Sequence, residues 1–92
     1  MRFASTMNGI TGLKRPGGRV SQAGVFALAE SMDHIGPMTR TAADTAAMLQ
    51  AIGGADADDP TPSHDPVPDY LCIIGQGVRE VRIGIDRAVI RV

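Results

Sequence analysis

Four prolines within nine residues, Pro60, Pro62, Pro66 and Pro68, constrain the fold of this chain more than any other feature. Each ring fixes φ near about −65° and removes a backbone donor, so both helix and central strand are excluded there. Residues 55–69, which hold these prolines, also hold five aspartates and no base, which predicts an extended, charged surface loop. Residues 1–54 and 70–92 are left to build the core, and a chain of 92 residues is one domain at most. That core is thin. Apolar residues make up 43%, but twelve of them are Ala, and Leu, Ile, Val and Phe together number 21. Trp is absent, and the aromatics are Phe3, Phe26 and Tyr70. Ordering a backbone costs roughly 1–2 kcal/mol per residue. A set this sparse points to a piece of a larger hydrophobic core.

Ten acids against nine bases leave a net charge of −1, which removes any global case for nucleic acid or an anionic membrane as partner. The charges are blocked: residues 1–46 carry five bases and three acids, and 79–91 carry four arginines with Glu80 and Asp86. No apolar run approaches the roughly 20 residues of a membrane span, and the N-terminus has no signal-peptide core. The cytoplasm is the expected compartment. Cys72 stands alone, which excludes an internal disulfide framework and a Cys-rich zinc site.

Local signals are clearest at residues 41–52, where the pattern predicts a helix. Thr41-Ala42-Ala43-Asp44 opens it like a capping box, with Asp44 placed well against the helix dipole. Thr45, Met48, Leu49 and Ile52 recur at helical spacing as one face, and Gly53-Gly54 supplies a left-handed stop. Short strands are expected at Asn8–Leu13 and Val81–Ile85, with a helical turn at Asp69–Ile74 and a break at Gly75–Gly77. Strand, loop, helix, long loop and strand suggest α/β organisation.

The chemistry-bearing residues do not assemble into a site by spacing. Gly12-Leu-Lys-Arg-Pro-Gly17 matches half of a phosphate-binding loop, but Gly18 stands where Lys is required and Arg19 where Ser or Thr should hold magnesium. A Gly/Pro turn carrying a solvated basic cluster is the better reading. Ser31, Asp33 and His34 are the residue types of a nucleophile–base–orienter set, yet three groups within four residues cannot easily face one another. His64 with Asp65 or Cys72 offers two metal ligands and no third at a familiar spacing. Asp56, Asp58 and Asp59 lack the glycine and closing Glu of a calcium loop. Neither a metal nor a cofactor is expected. Lys14 is the sole lysine, so a Ser–Lys site within the chain would pair it with Ser5 or Ser21, with Arg15 helping to depress its pKa. An exposed basic turn explains the same residues.

The ordered blocks carry more. Asn8-Gly-Ile-Thr-Gly-Leu-Lys14, Gly18-Arg-Val-Ser21 and Ser31-Met-Asp-His-Ile-Gly-Pro-Met-Thr-Arg-Thr41 are followed by Ala43-Asp44, Met48-Leu-Gln-Ala-Ile52 and Asp59-Pro60. Pro66-Val-Pro-Asp-Tyr70 and Gly77-Val-Arg-Glu-Val-Arg-Ile-Gly-Ile-Asp86 complete the series. In this order and spacing the chain resembles the amidase signature family over most of its length. Two positions depart from the family pattern: Arg15-Pro16 occupies a place usually read Pro-Thr, and Ala4 replaces a usual proline. Both imply altered packing around that turn.

The resemblance implies a slice of an α/β fold, a mixed β-sheet flanked by helices, incomplete on its own. Residues 1–54 would supply the strand, turn and helix beside the signature, 55–69 the Asp/Pro-rich loop, and 70–92 a short helix and strand. The family hydrolyses or transfers C–N amide groups with a Ser–Ser–Lys arrangement, and backbone N–H groups stabilise the oxyanion. Carried over residue by residue, none of the three catalytic groups falls on this chain, and Lys14 does not match the catalytic lysine. Arg2 matches the arginine two positions after the nucleophile, so it adjoins the active site and is expected to be a scaffold contact. Gly9–Gly12 would continue the strand beneath the nucleophile, and Asp33–Thr41 would form a supporting loop with Thr41 as cap. Both ends are expected to be cut. An amide substrate would be met only in a complete enzyme, and the expected partner is the missing N-terminal amidase segment. Three readings follow. The first is an inactive fragment of an amidase or of the catalytic component of a related amidotransferase. The second is a non-catalytic remnant docking on another chain, and the third a small domain binding an anion at the Lys14–Arg19 turn.

Overall fold

The computed structural model describes residues 1–29 and 31–84. Its elements in chain order are helix α1 (Arg2–Asn8), strands β1 (Thr11–Gly12) and β2 (Met38–Thr39), helix α2 (Ala42–Ile52) and the short helix α3 (Tyr70–Ile73). The two strands pair antiparallel, Thr11 opposite Thr39 and Gly12 opposite Met38. Helices with a small two-stranded sheet give the α/β character in coarse form.

Asn8 ends a helix; it does not begin a strand. Gly9 takes the left-handed conformation (φ 62°, ψ 34°). Its N–H reaches Thr6 O at 3.3 Å, and Ile10 N–H reaches Ser5 O at 3.1 Å. These are the two bonds of a Schellman motif, which glycine adopts without a Cβ penalty. Of the expected strand only β1 remains. The Ser5 side chain lies against Gly12, where an added Cβ would collide with it, so α1 folds back directly onto β1.

α2 follows its local signals at the start and departs from them at the end. The Thr41 hydroxyl accepts the Asp44 N–H at 3.1 Å, and Asp44 lies in the positively polarised first turn. The buried stripe is Thr45, Ala46 and Leu49, whereas Met48 and Ile52 are exposed. Thr45 is drawn inward because its hydroxyl shares a 2.6 Å hydrogen bond with Thr39 on β2. Gly53 is extended (φ −79°, ψ 149°), not left-handed, because it forms a bridge with Val20. Gly54 carries the positive φ and donates to Arg19 O at 3.0 Å. α3 starts as expected, with the Asp69 carboxylate accepting the Cys72 N–H at 3.0 Å. Residues 81–84 form no strand, and Ile85 lies outside the described residues.

The Asp/Pro-rich loop is docked on the turn after β1. Ser63 N–H donates to Gly18 O at 2.9 Å, and Arg19 Nη1 donates to Asp65 O and Pro66 O at 2.9 Å each. Gly18 is buried at φ 72°, and a Cβ there would sit 2.6 Å from both Ser63 N and Thr61 O. Among the described residues the buried apolar set is small: Val20, Ala46 and Leu49, with Pro37 fully enclosed. The accessible surface is 7510 Å², against roughly 5100 Å² for a compact monomer of this mass. Among the described residues no helix is long and apolar enough to cross a membrane.

Candidate functional site

A cleft of about 570 Å³ opens between the first turn of α1 (Met1, Arg2, Phe3) and the bend Met32–Asp33–His34, with Lys14 at its side. It collects Arg2, Lys14, Asp33 and His34, four of the residues picked out in the sequence. The side chains of Arg2 and Lys14 are exposed. Arg2 contributes its carbonyl to the helix, accepting from Thr6 Oγ1 at 2.9 Å.

The candidate nucleophiles and bases are engaged elsewhere. Ser5 is buried and its hydroxyl donates to Met1 O at 3.1 Å. Ser21 Oγ accepts the Ala23 N–H at 3.0 Å. Neither is hydrogen-bonded to Lys14 among the described residues. Asp33 Oδ2 accepts the N–H groups of Leu28 and Ala29 at 2.8 and 2.9 Å. His34 Nδ1 donates to Met32 O at 2.8 Å. Each closes its own bend, so Ser31, Asp33 and His34 form no relay. Ser31 instead faces a second cleft of about 500 Å³, shared with Gln22, Asp33 and Asp59.

His64 and Cys72 are exposed, and no three His, Cys, Asp or Glu side chains cluster at metal-ligand range among the described residues. The aspartates of 55–69 are not uniformly solvated. Asp56 is held below the usual carboxylate range by the Ser21 hydroxyl and then by the Asp58 N–H. Asp59 is buried and accepts Gln22 N–H at 3.0 Å, Thr61 N–H at 2.8 Å and Thr61 Oγ1 at 3.2 Å. Its pKa is lowered, chiefly by the Thr61 N–H and next by the Gln22 N–H, with the Arg15 charge contributing least.

Arg15 corrects the expectation of a solvated basic cluster. It is 2% exposed, and its guanidinium donates to Ile35 O at 2.9 Å, Pro16 O at 2.6 Å and Val20 O at 2.9 Å. Burial pulls its pKa below the ordinary arginine value, and the nearby Asp59 charge pushes it back up. The planar five-donor fork suits converging carbonyls as an ammonium would not. The Gly12–Gly17 segment is therefore wrapped around its own arginine, with Gly18 covered by the loop, and presents no phosphate cradle. Sequence reasoning missed Arg15 because its acceptors lie on residues 16, 20 and 35. The only hint was an arginine set directly before a Pro-Gly-Gly turn.

An Amidase family model matches residues 1–91, and the chain belongs to the amidase family. AmiD of Mycobacterium tuberculosis is 48% identical over 86 residues, 94% of this chain and 18% of its own length. A glutamyl-tRNA(Gln) amidotransferase component of Myxococcus xanthus is 47% identical over 87 residues, 95% of this chain and 18% of its own. An amidase of Pseudomonas putida is 48% identical over 88 residues, 95% of this chain and 19% of its own. The chain thus spans about a fifth of the length of these relatives. No solved structure matches it.

Proposed function

We propose that this chain is the supporting slice of an amidase-family C–N hydrolase, placed immediately after the nucleophilic serine, and that alone it hydrolyses no amide. The observation that carries the reading is the cleft at the first turn of α1. Arg2, which the family pattern sets two positions after the nucleophile, lines it, while Ser5, Ser21 and Lys14 are not joined to one another. A nucleophile without an adjacent base is weak at its ordinary pKa, so no acyl transfer is expected from these groups. In this reading residues 1–54 form the strand, turn and helix beside the site, 55–69 the loop buttressing the turn, and 70–92 the part of the slice that opens with the short helix α3. Arg2 contacts the scaffold next to the reacting centre. The large exposed surface is the face that meets the remaining sheet and helices, and an amide substrate is met only in the complete assembly. The reading calls for no metal or cofactor, and its compartment is the cytoplasm.

The test is hydrolysis of simple aliphatic and aryl amides by the purified chain, alone and mixed with AmiD from which the matched stretch has been deleted. The expected result is silence from either piece and activity on mixing. Activity from the chain alone, lost in Lys14→Ala, would overturn the reading. Exposed apolar side chains such as Phe26 and Leu28 also favour a second reading, a non-catalytic fragment docking on another chain. Stable association on mixing, without hydrolysis, would select it.

A further inference from the structure

Arg15 stands where the family pattern usually has proline, and its contacts lead away from its own turn. Nε donates to Ile35 O at 2.9 Å. Two residues on, Pro37 is fully enclosed and its carbonyl accepts the Leu13 N–H of the segment leaving β1, at 3.1 Å. Between them, Gly36 lies against Met1: a Cβ on Gly36 would fall 2.6 Å from Met1 Cε and 2.5 Å from Leu13 O. Met1 O in turn accepts both the N–H and the hydroxyl of Ser5, at 2.9 and 3.1 Å. The opposite side of the guanidinium is closed by Val20 O at 2.9 Å. Asp59 lies near enough for its charge to act on Arg15, and it is itself fastened to Gln22 and Thr61.

We propose that Arg15 is a positioning residue: its fork on the carbonyls of Pro16, Val20 and Ile35 holds the Ile35–Pro37 bend against Met1 and thereby fixes the first turn of α1. The bearing of that turn on catalysis rests on the amidase reading above; the mechanical link does not. By side-chain hydrogen bonding Arg15 reaches 20 residues along the chain to Ile35, whereas a proline at that place would fix only its own φ and donate nothing. A planar fork holds three carbonyls at fixed angles, whereas a lysine ammonium is a point donor on a flexible stem.

Amide hydrogen exchange on the full chain tests this, together with the NMR signal of the Arg15 Nε–H. In the unmodified chain that Nε–H should exchange slowly. Arg15→Met should speed exchange at Leu13 and Ser5 by about tenfold or more, and Arg15→Lys should fail to restore it. A role confined to the local turn would speed exchange only at residues 16–22. Should Arg15→Met loosen the whole chain, Gly36→Ala acts further along the same link. It should speed Ser5 exchange while the Arg15 Nε–H stays protected. Unchanged Ser5 exchange in Gly36→Ala overturns the proposal, as does a freely exchanging Nε–H in the unmodified chain. None of these readouts involves amide hydrolysis. A protected Arg15 with a silent mixing assay would count against the amidase reading alone, and the reverse pattern against the positioning role alone.

Discussion

The turn after β1 and the segment Val25–Met32 are neighbours in sequence and opposites in how they meet solvent. Around the turn, polar groups are buried and satisfied: Arg15 on three carbonyls, Asp59 on two N–H groups and a hydroxyl, Gly18 under the Asp/Pro-rich loop. In the other segment Phe26 is 97% exposed and Leu28 93%, with Val25 and Met32 exposed beside them. A chain that stood alone would be expected to reverse this, hiding Phe and Leu and wetting Arg and Asp. The closed part is therefore held by hydrogen bonds to the main chain, while the apolar side chains of the open segment stand in solvent. Single substitutions put that contrast at risk in different ways.

The largest effect is expected where the closed part does have apolar packing. Leu49 is buried on α2, and Leu49→Ala should cost roughly 2–5 kcal/mol, as core truncations do. Because the buried apolar set among the described residues is otherwise only Val20, Ala46 and Pro37, protection of the α2 amides from exchange should largely disappear. Retained protection would mean that the hydrogen-bonded turn holds α2 without an apolar core. Gly18→Ala comes next. A left-handed φ costs an L-residue roughly 1–2 kcal/mol, and the new Cβ would meet Thr61 O and Ser63 N at 2.6 Å. Exchange at Ser63 should rise sharply while α2 is spared. If both regions loosen together, the loop and the helix are one cooperative unit.

Thr41→Ala should remove about 1 kcal/mol through loss of the bond to the Asp44 N–H, read as faster exchange in the first turn of α2. This cap is also where sequence reasoning succeeds most fully, since the Thr, the Asp and the helix they start are contiguous. α3 is legible for the same reason, through Asp69. Reasoning fails where the deciding partner is distant. Gly53 is extended because Val20 pairs with it, Thr45 turns inward because Thr39 is there, and Arg15 is buried because the chain brings Ile35 O back to it. The Schellman motif at Gly9 is local, but Asn8-Gly9 fits a strand boundary as readily as a helix end. The family resemblance raises the expectation that Arg2 adjoins the site, whereas the cleft it lines depends on Met32–His34 folding back, which no spacing reveals.

Asp59→Asn should loosen the loop modestly at neutral pH, because both carboxylate oxygens accept N–H groups and an amide offers one oxygen, and it should remove part of the dependence on acid. The Asp59 carboxylate is held below its ordinary value by the Thr61 and Gln22 N–H groups. Below about pH 4 the unfolded chain therefore takes up this proton before the folded one does. The contribution is complete above that pH and is lost as pH falls through the lowered pKa. The loop amides of Thr61 and Ser63 should open on acidification in the unmodified chain, and Asp59→Asn should flatten that part of the profile. An unchanged profile would assign the acid sensitivity to Asp56, which is lowered by Ser21 and Asp58.

The smallest effect on folding should come from the most exposed apolar side chain of the open region. Phe26→Ser removes a group that is 97% exposed, and surface changes of this kind usually fall within about 0.5 kcal/mol of neutral. Yet burying a Phe elsewhere is worth roughly 1.5–3 kcal/mol, so the same substitution should weaken association with the truncated AmiD far more than it alters the chain itself. Sedimentation of the mixture reads the association, and urea unfolding of the chain alone reads its stability. If Phe26→Ser destabilises the isolated chain as strongly as it weakens association, Phe26 is already packed within the chain in solution. The contrast between a closed polar turn and an uncovered apolar segment would then fail. If association alone suffers, the uncovered side chains are the contact surface of a larger domain, and the buried arginine and aspartate hold one slice of that domain in shape.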